Sequence, residues 1–320
     1  MFIIKKIIYL PLQFIITVVA LTYFSSNTIA QVCHPDDYTA LVRLRDATNG
    51  GGGLGSWNTI ANLPNGINSQ WIGTDVYNWH GVDTLHDASF PTYYRVRKIN
   101  LDGNNFLGLA PNFLENNIPD SLFWGDRLLN VDSLILDNNN LIGIQGYLKP
   151  QLPFSYHQLE YLSLNNNELS HTNTSTFTYL LGFFDNLSKV YLTNAMGTSS
   201  ADLSTFSLPT SFILNKLHLE SNNFTGTLDL FNITNSIWEG LLYLYVDDND
   251  FTSINITSST VGNLRILSIN NNEIQNVQDI TNCLDFVGNL RELHAATAMD
   301  TNSTTLFVLT PSNFPNNLQV

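Results

Sequence analysis

One apolar phrase returns along most of this chain, and a chain written that way stacks copies of a coil instead of closing into a globule. The phrase is L-x-x-L-x-L-x-x-N-x-L. Val96, Ile99, Leu101, Asn104 and Phe106 fill its slots in the first copy. Val131, Leu134, Leu136, Asn139 and Leu141 fill them in the second, and Leu159, Leu162, Leu164, Asn167 and Leu169 in the third. The fifth is Leu214, Leu217, Leu219, Asn222 and Phe224, and the sixth is Leu241, Leu244, Val246, Asn249 and Phe251. Leu264, Leu267, Ile269, Asn272 and Ile274 make the seventh. Two copies are degenerate: Leu187, Val190 and Leu192 lead to Ala195 in the Asn slot, and Leu290 and Leu293 lead to Ala298. The copies start at 96, 131, 159, 187, 214, 241, 264 and 290.

Each slot has a physical reason. In an extended L-x-L stretch the side chains alternate between two faces, so the leucines turn inward and stack on the same slot of the next copy. The strands then pair in parallel, about 4.8 Å apart. The sharp turn that follows leaves backbone groups inside the coil. A carboxamide both donates and accepts, so a buried Asn can satisfy them and bridge neighbouring copies. The expected ladder is Asn104, Asn139, Asn167, Asn222, Asn249 and Asn272, with further polar slots at Asn105, Asn138, Asn140, Asn165, Asn166, Asn223, Asn270 and Asn271. This accounts for part of an unusual asparagine content, 41 of 320 residues.

The phrase and its period resemble those of leucine-rich repeat proteins. Ahead of the repeats, Pro35-Asp36-Asp37 suits a helix start, and Asp37, Ala40, Leu41, Leu44 and Ala47 have helical spacing. Gly50 to Gly53 end that helix, and Trp57, Trp71 and Trp79-His80-Gly81-Val82 follow. The stretch resembles the N-terminal cap of plant-type extracellular leucine-rich repeat proteins. It resembles the cap of secreted bacterial ones more closely, through Ala40-Leu41, Leu44, Ala47-Thr48 and Gly50, and because no cysteine flanks Trp79–Val82. The resemblance implies an α/β solenoid: a leucine-rich repeat horseshoe with a parallel β-sheet on the concave face. The connecting segments predict mostly loops and short helices on the convex face, with Asp279–Val287 as one helix.

Residues 1–30 follow a different grammar. Lys5 and Lys6 precede an apolar run from Ile7 to Phe24, and Thr28 and Ala30 suit cleavage before Gln31. The rival reading is a membrane anchor, but Pro11 and Gln13 interrupt the run. The expected organisation is a signal peptide at 1–30, a capping region at 31–95 and about eight repeats at 96–317. Residues 318–320 would start a further repeat. Leu318 falls 28 residues after Leu290, so either the product is truncated or its last repeats are unstable, and the spacing favours truncation.

The net charge is −14, from 13 Lys and Arg against 27 Asp and Glu. That balance disfavours nucleic acid and anionic membrane surfaces, which reward a basic face. Two cysteines make neither a disulfide framework nor a zinc site. Cys33 and Cys283 are separated by seven repeats, beyond each other's reach. Cys283 is expected to be buried, and Cys33 to be a loose thiol or to bridge to another chain. The glycines at 50–53 lack the Gly-Lys-Ser/Thr of a phosphate loop. The seven His show no metal-ligand spacing, and no nucleophile elbow occurs. Asp247, Asp248 and Asp250 lack calcium-loop spacing and are expected to form a solvated acidic turn. N-x-S/T sequons occur at Asn173, Asn186, Asn223, Asn232, Asn255 and Asn302. The expected protein is therefore no enzyme and carries no metal or cofactor.

The outward slot between the core leucines holds Asn100, Ile135, Ser163, Tyr191, His218, Tyr245, Ser268 and His294. The slot two before it adds Lys98, Tyr161, Lys189, Lys216 and Tyr243, and the slot two after adds Asp102, Asp137, Glu220 and Asp247. The expected binding face is thus Tyr161, Tyr191, His218, Tyr243 and Tyr245, edged by Glu220 and Asp247. Tyrosine supplies contact area and a polar tip at small entropic cost. The functional expectation is a secreted or cell-surface scaffold that binds a protein or glycan ligand without catalysis. The alternative is a spacer within a larger surface protein.

Overall fold

The computed structural model describes residues 32–48, 79, 81–86, 93–103, 115–118, 122, 127–144, 158–169, 184, 186–196, 214–230, 240–256, 263–286 and 289–298. The leader, the glycine run, Trp57, Trp71, Asn104, Asn105 and everything from residue 299 onward lie outside them.

All eight copies of the phrase contribute a strand to one sheet. In chain order these are β3 (Tyr93–Asn100), β5 (Ser133–Ile135), β7 (Tyr161–Ser163), β8 (Lys189–Tyr191), β9 (Lys216–His218), β11 (Tyr243–Tyr245), β13 (Ile266–Ser268) and β14 (Glu292–His294). They pair in parallel in that order. The register is the one the phrase demands: Ile99, Leu134, Leu162, Val190, Leu217, Leu244, Leu267 and Leu293 stand opposite one another from strand to strand. These side chains and the flanking leucines form one continuous buried core. The result is a leucine-rich-repeat-like parallel β-solenoid.

After the turn, the chain pairs again in two smaller parallel sheets. One joins β4 (Glu115–Ile118) to β6 (Asn140–Ile144), and the other joins β10 (Thr225–Asp229) to β12 (Asp250–Asn255). Phe224 and Phe251 stack within the core at 6.2 Å between centroids. Helix α2 (Val277–Phe286) lies where a helix at 279–287 was expected.

The ladder forms, and its geometry shows how. Asn222 Nδ2 donates to Leu192 O at 2.7 Å and to Leu219 O at 2.9 Å, and so bridges its own repeat and the one before. Its Oδ1 accepts the amides of Ala195 and Met196 at 2.8 and 2.9 Å. Asn139, Asn167, Asn249 and Asn272 repeat the scheme. The degenerate copies do not leave amides orphaned. Where Asn167 and Asn272 offer Oδ1 to Leu141 N and Phe251 N, Ala195 and Ala298 offer their backbone carbonyls to Leu169 N and Ile274 N, at 2.8 and 2.9 Å.

The residue before seven of the eight ladder slots adopts the left-handed region, with φ between 50° and 56°: Asn138, Asn166, Asn194, Ser221, Asp248, Asn271 and Thr297. Asn and Asp tolerate that region best among residues with a Cβ, which adds a second cause for the asparagine excess. Their side chains also bridge coils. Asn138 Nδ2 donates to Asp102 at 2.8 Å, Asn166 to Asn138 at 2.8 Å and Asn194 to Asn166 at 3.1 Å.

The capping region enters the sheet instead of lying beyond it. β1 (Val32–Cys33) pairs in parallel with the start of β3, and β2 (Val82–His86) runs antiparallel along the opposite edge of β3. Helix α1 (Pro35–Thr48) is fixed by Asp37, whose fully buried carboxylate accepts Val96 N at 2.9 Å and Leu128 N at 2.8 Å and pairs with Arg95 Nη2 at 3.2 Å. Gly81, at φ 75°, gives its carbonyl to Asn100 N at 2.7 Å, and a Cβ there would lie 2.1 Å from Asn100 O. The Trp79–Val82 motif needs glycine at that point. Cys33 is a free thiol, one of the two expected outcomes, and it is buried in β1, where burial pushes it up to about 12. Cys283 is buried, as expected.

Two outcomes follow. Asn222→Ala strands buried amides and carbonyls and lowers stability by about 1–3 kcal/mol in urea denaturation. Thr297→Asn relieves a β-branched residue held at positive φ, and its amide can keep the bond that the Thr297 hydroxyl gives Asn271. It raises stability by about 0.5–1 kcal/mol in the same measurement.

Candidate functional site

Parallel pairing in strict register carries each outward slot straight across the sheet. The middle slot therefore lines up Tyr191, His218 and Tyr245 on β8, β9 and β11. Their rings stack: Tyr191 to His218 at 4.5 Å and 13°, and His218 to Tyr245 at 4.3 Å and 8°. Tyr161 belongs to the neighbouring slot on β7, yet its ring meets Tyr191 at 5.0 Å and 31°. Four rings from four successive repeats thus form one row on the outer face of the sheet. Tyr243 stands beside the row, and Lys216 Nζ lies 5.5 and 5.6 Å from the centroids of Tyr243 and Tyr245. The sequence-expected aromatic residues are brought together on one face.

Facing rings conceal their π-faces and turn their edges outward, so the row offers an amphipathic ridge more than a flat platform. Burial raises the phenols of Tyr161, Tyr191 and Tyr245. His218 is held firmly. Its Nδ1 lies 2.7 Å from Glu220 Oε1, and since a carboxylate only accepts, Nδ1 carries the proton. Nε2 is buried with no hydrogen-bond partner.

The carboxylates prove to be fasteners. Glu220 accepts the Thr193 hydroxyl from the preceding repeat at 2.8 Å as well as holding His218. Asp247 accepts the Ser268 hydroxyl at 2.7 and 2.8 Å and Asn270 N at 2.6 Å. Asp248 accepts Asn271 Nδ2 at 2.7 Å, and Asp250 enters β12. Asp248 and Asp250 are exposed, as expected of a solvated acidic turn, while Asp247 is half-buried and, like Asp248, bonds to the next coil. Asp137 does the same for Ser163 and Asn165 at 2.7–2.9 Å, although sequence reasoning placed it merely at the edge of the face. Among the described residues no group of His, Cys, Asp and Glu is placed to hold a metal ion. Of the sequons, Asn186 and Asn223 are exposed and Asn255 is half-buried, while Asn173, Asn232 and Asn302 lie outside the described residues.

No protein-family model matches the chain, and no curated protein matches it. Among solved structures it is similar to a leucine-rich-repeat protein of Leptospira interrogans, at 21% identity and a TM-score of 0.23. The match covers 63% of this chain and 60% of that one, so the chain spans less than two thirds of that protein's length. The architecture described above rests on the strands and their register.

The two bridging aspartates make stability depend on pH. Burial raises the carboxyls of Asp137 and Asp247 above the usual value, outweighing the hydrogen bonds from serine and asparagine. A carboxyl raised in the folded state favours folding when protonated, and that contribution fades as pH climbs through its folded value. Asp137→Asn with Asp247→Asn removes this titration. Relative to the parent, the double variant is therefore more stable at pH 7 than at pH 4, which paired denaturation curves at the two pH values measure.

Proposed function

We propose that the protein is an exported, non-catalytic recognition scaffold, secreted or held at the cell surface, that binds a protein or glycan ligand through its outer sheet face. The observation that carries this reading is the four-ring row of Tyr161, Tyr191, His218 and Tyr245, built across four repeats and half-exposed. Cross-strand ring pairs brace the sheet as well, and exposed aromatic side chains supply much of the contact energy in recognition surfaces. In this reading the face is the concave wall of a leucine-rich repeat horseshoe, with loops and short helices on the convex side.

The same geometry speaks for binding over catalysis. A general base needs a reachable nitrogen, and His218 Nε2 is buried without a hydrogen-bond partner. Glu220 is occupied by His218 and Thr193, and Asp247 by Ser268 and Asn270. These groups hold the row in place, and the reading requires no metal or cofactor.

Replacing Tyr191, His218 and Tyr245 together with Ala removes the row while sparing every inward leucine and ladder asparagine. Screened on a glycan array and a displayed peptide library, the parent protein gives a reproducible set of ligands and the triple variant loses it, with an unchanged circular dichroism spectrum. Undiminished capture by a folded triple variant overturns the reading.

A further inference from the structure

The outer face of the sheet changes sign along its strands. In the repeats that build the row, the slot nearest the strand starts runs Tyr161, Lys189, Lys216 and Tyr243, each opposite the next in register. Tyr191, His218 and Tyr245 come two residues later. Two residues beyond them stand Thr193, Glu220 and Asp247. Cations therefore lie on one side of the aromatic ridge and carboxylates on the other.

The fold uses the two sides differently. Glu220 holds His218 and accepts the Thr193 hydroxyl, and Asp247 accepts Ser268 and Asn270. The lysines have no such partners: among the described residues neither Lys189 nor Lys216 forms an ion pair. Lys216 is half-buried and rests its ammonium near the Tyr243 and Tyr245 rings at 5.5 and 5.6 Å, a contact that leaves its formal charge uncompensated. Lys189 is exposed and stands directly opposite it on the next strand. Neighbouring strands are about 4.8 Å apart, and like charges placed opposite one another work against the sheet. With 27 Asp and Glu against 13 Lys and Arg, a carboxylate was the more abundant choice for either position. An acidic chain thus sets two uncompensated lysines side by side along its aromatic ridge.

We infer that Lys189 and Lys216 anchor an aspartate or glutamate side chain of a partner polypeptide, whose nearby apolar side chain lies on the ridge. This rests on the ridge being a binding face and names the chemistry of what binds there. The spacing supports it. The lysine slot and the ridge slot are two residues apart on one strand, about 6.6 Å. An extended segment repeats its side chains on one face at that same interval, so an acid and an apolar residue two positions away reach both slots together. The carboxylates beyond the ridge repel an acid there, which fixes the side on which it sits. A glycan fits less well: a sugar packs its axial hydrogens against an open π-face, and the faces within the row are turned toward one another.

The test selects a displayed library of random twelve-residue peptides on the full chain and measures the leading synthetic peptide by fluorescence anisotropy. Enrichment of an acid two residues from an aromatic or aliphatic residue is expected. Changing that acid to its amide, or moving it next to the apolar residue, should weaken binding about tenfold, the reach of two exposed charge pairs. Lys189→Gln with Lys216→Gln should lose the same factor. Lys189→Glu with Lys216→Glu should refuse the acidic peptide and take its lysine counterpart. Lys189→Gln alone should keep or raise the urea midpoint, because it relieves a like-charge pair, whereas a structural lysine would lower it. Selected peptides without that acid, unchanged affinity in the double glutamine variant, a lowered midpoint for Lys189→Gln, or capture of heparin in preference to acidic peptides overturns the assignment. If the double glutamine variant binds like the parent while the triple alanine variant does not bind, the ridge is the binding face and the lysine anchor is wrong. If the folded triple alanine variant binds as well, the ridge reading itself fails.

Discussion

Backbone satisfaction inside the turn is the constraint on which the rest depends. Each coil must reverse direction immediately after its strand, and the reversal carries amides and carbonyls away from both water and the sheet. A carboxamide of the right length reaches its own repeat's carbonyl, the previous repeat's carbonyl and the previous repeat's amide at once, as Asn222 does. That triple reach fixes the spacing between coils, and the spacing fixes the register. Register in turn decides which side chains share a slot on the outer face. The row of rings is thus a remote consequence of polar groups on the inside.

Much of this was legible in the sequence because it depends on short periods. A two-residue alternation assigns Leu217 and Leu219 inward and His218 outward with no knowledge of the partner strand. Once every strand obeys the same alternation and the same register, Tyr191, His218 and Tyr245 must align. Cys283 and α2 were legible for similar local reasons. The opening of the solenoid was less so. That Asp37 would cap amides 59 and 91 residues away, or that β2 would run antiparallel along β3, depends on long-range approach that no local pattern encodes.

What escaped the sequence shares one cause. The coil-to-coil bonds of Asp247, Asp248 and Glu220 join residues more than twenty positions apart, although Glu220 also holds His218 two residues away. Ala195 and Ala298 look like broken rungs, because a backbone carbonyl standing in for a side-chain oxygen leaves no mark in composition. The left-handed turn residues hid inside the asparagine count: Asn138 and Asn139 are the same residue type, yet one is chosen for its dihedral angle and the other for its reach.

The fourth coil shows what these substitutions do to cohesion. On its third-coil side the carboxamide rung is replaced by the Ala195 carbonyl, and on its fifth-coil side the outer chain of side-chain bonds lapses at Ser221. On the outer face of the same coil the Tyr191 ring touches Tyr161 on one side and His218 on the other, while Thr193 reaches across to Glu220. A coil with fewer side-chain bonds in its turn is clasped from without. A ligand of the proposed kind lying across that ridge would splint the middle of the spring, and its binding would be read as added stiffness there.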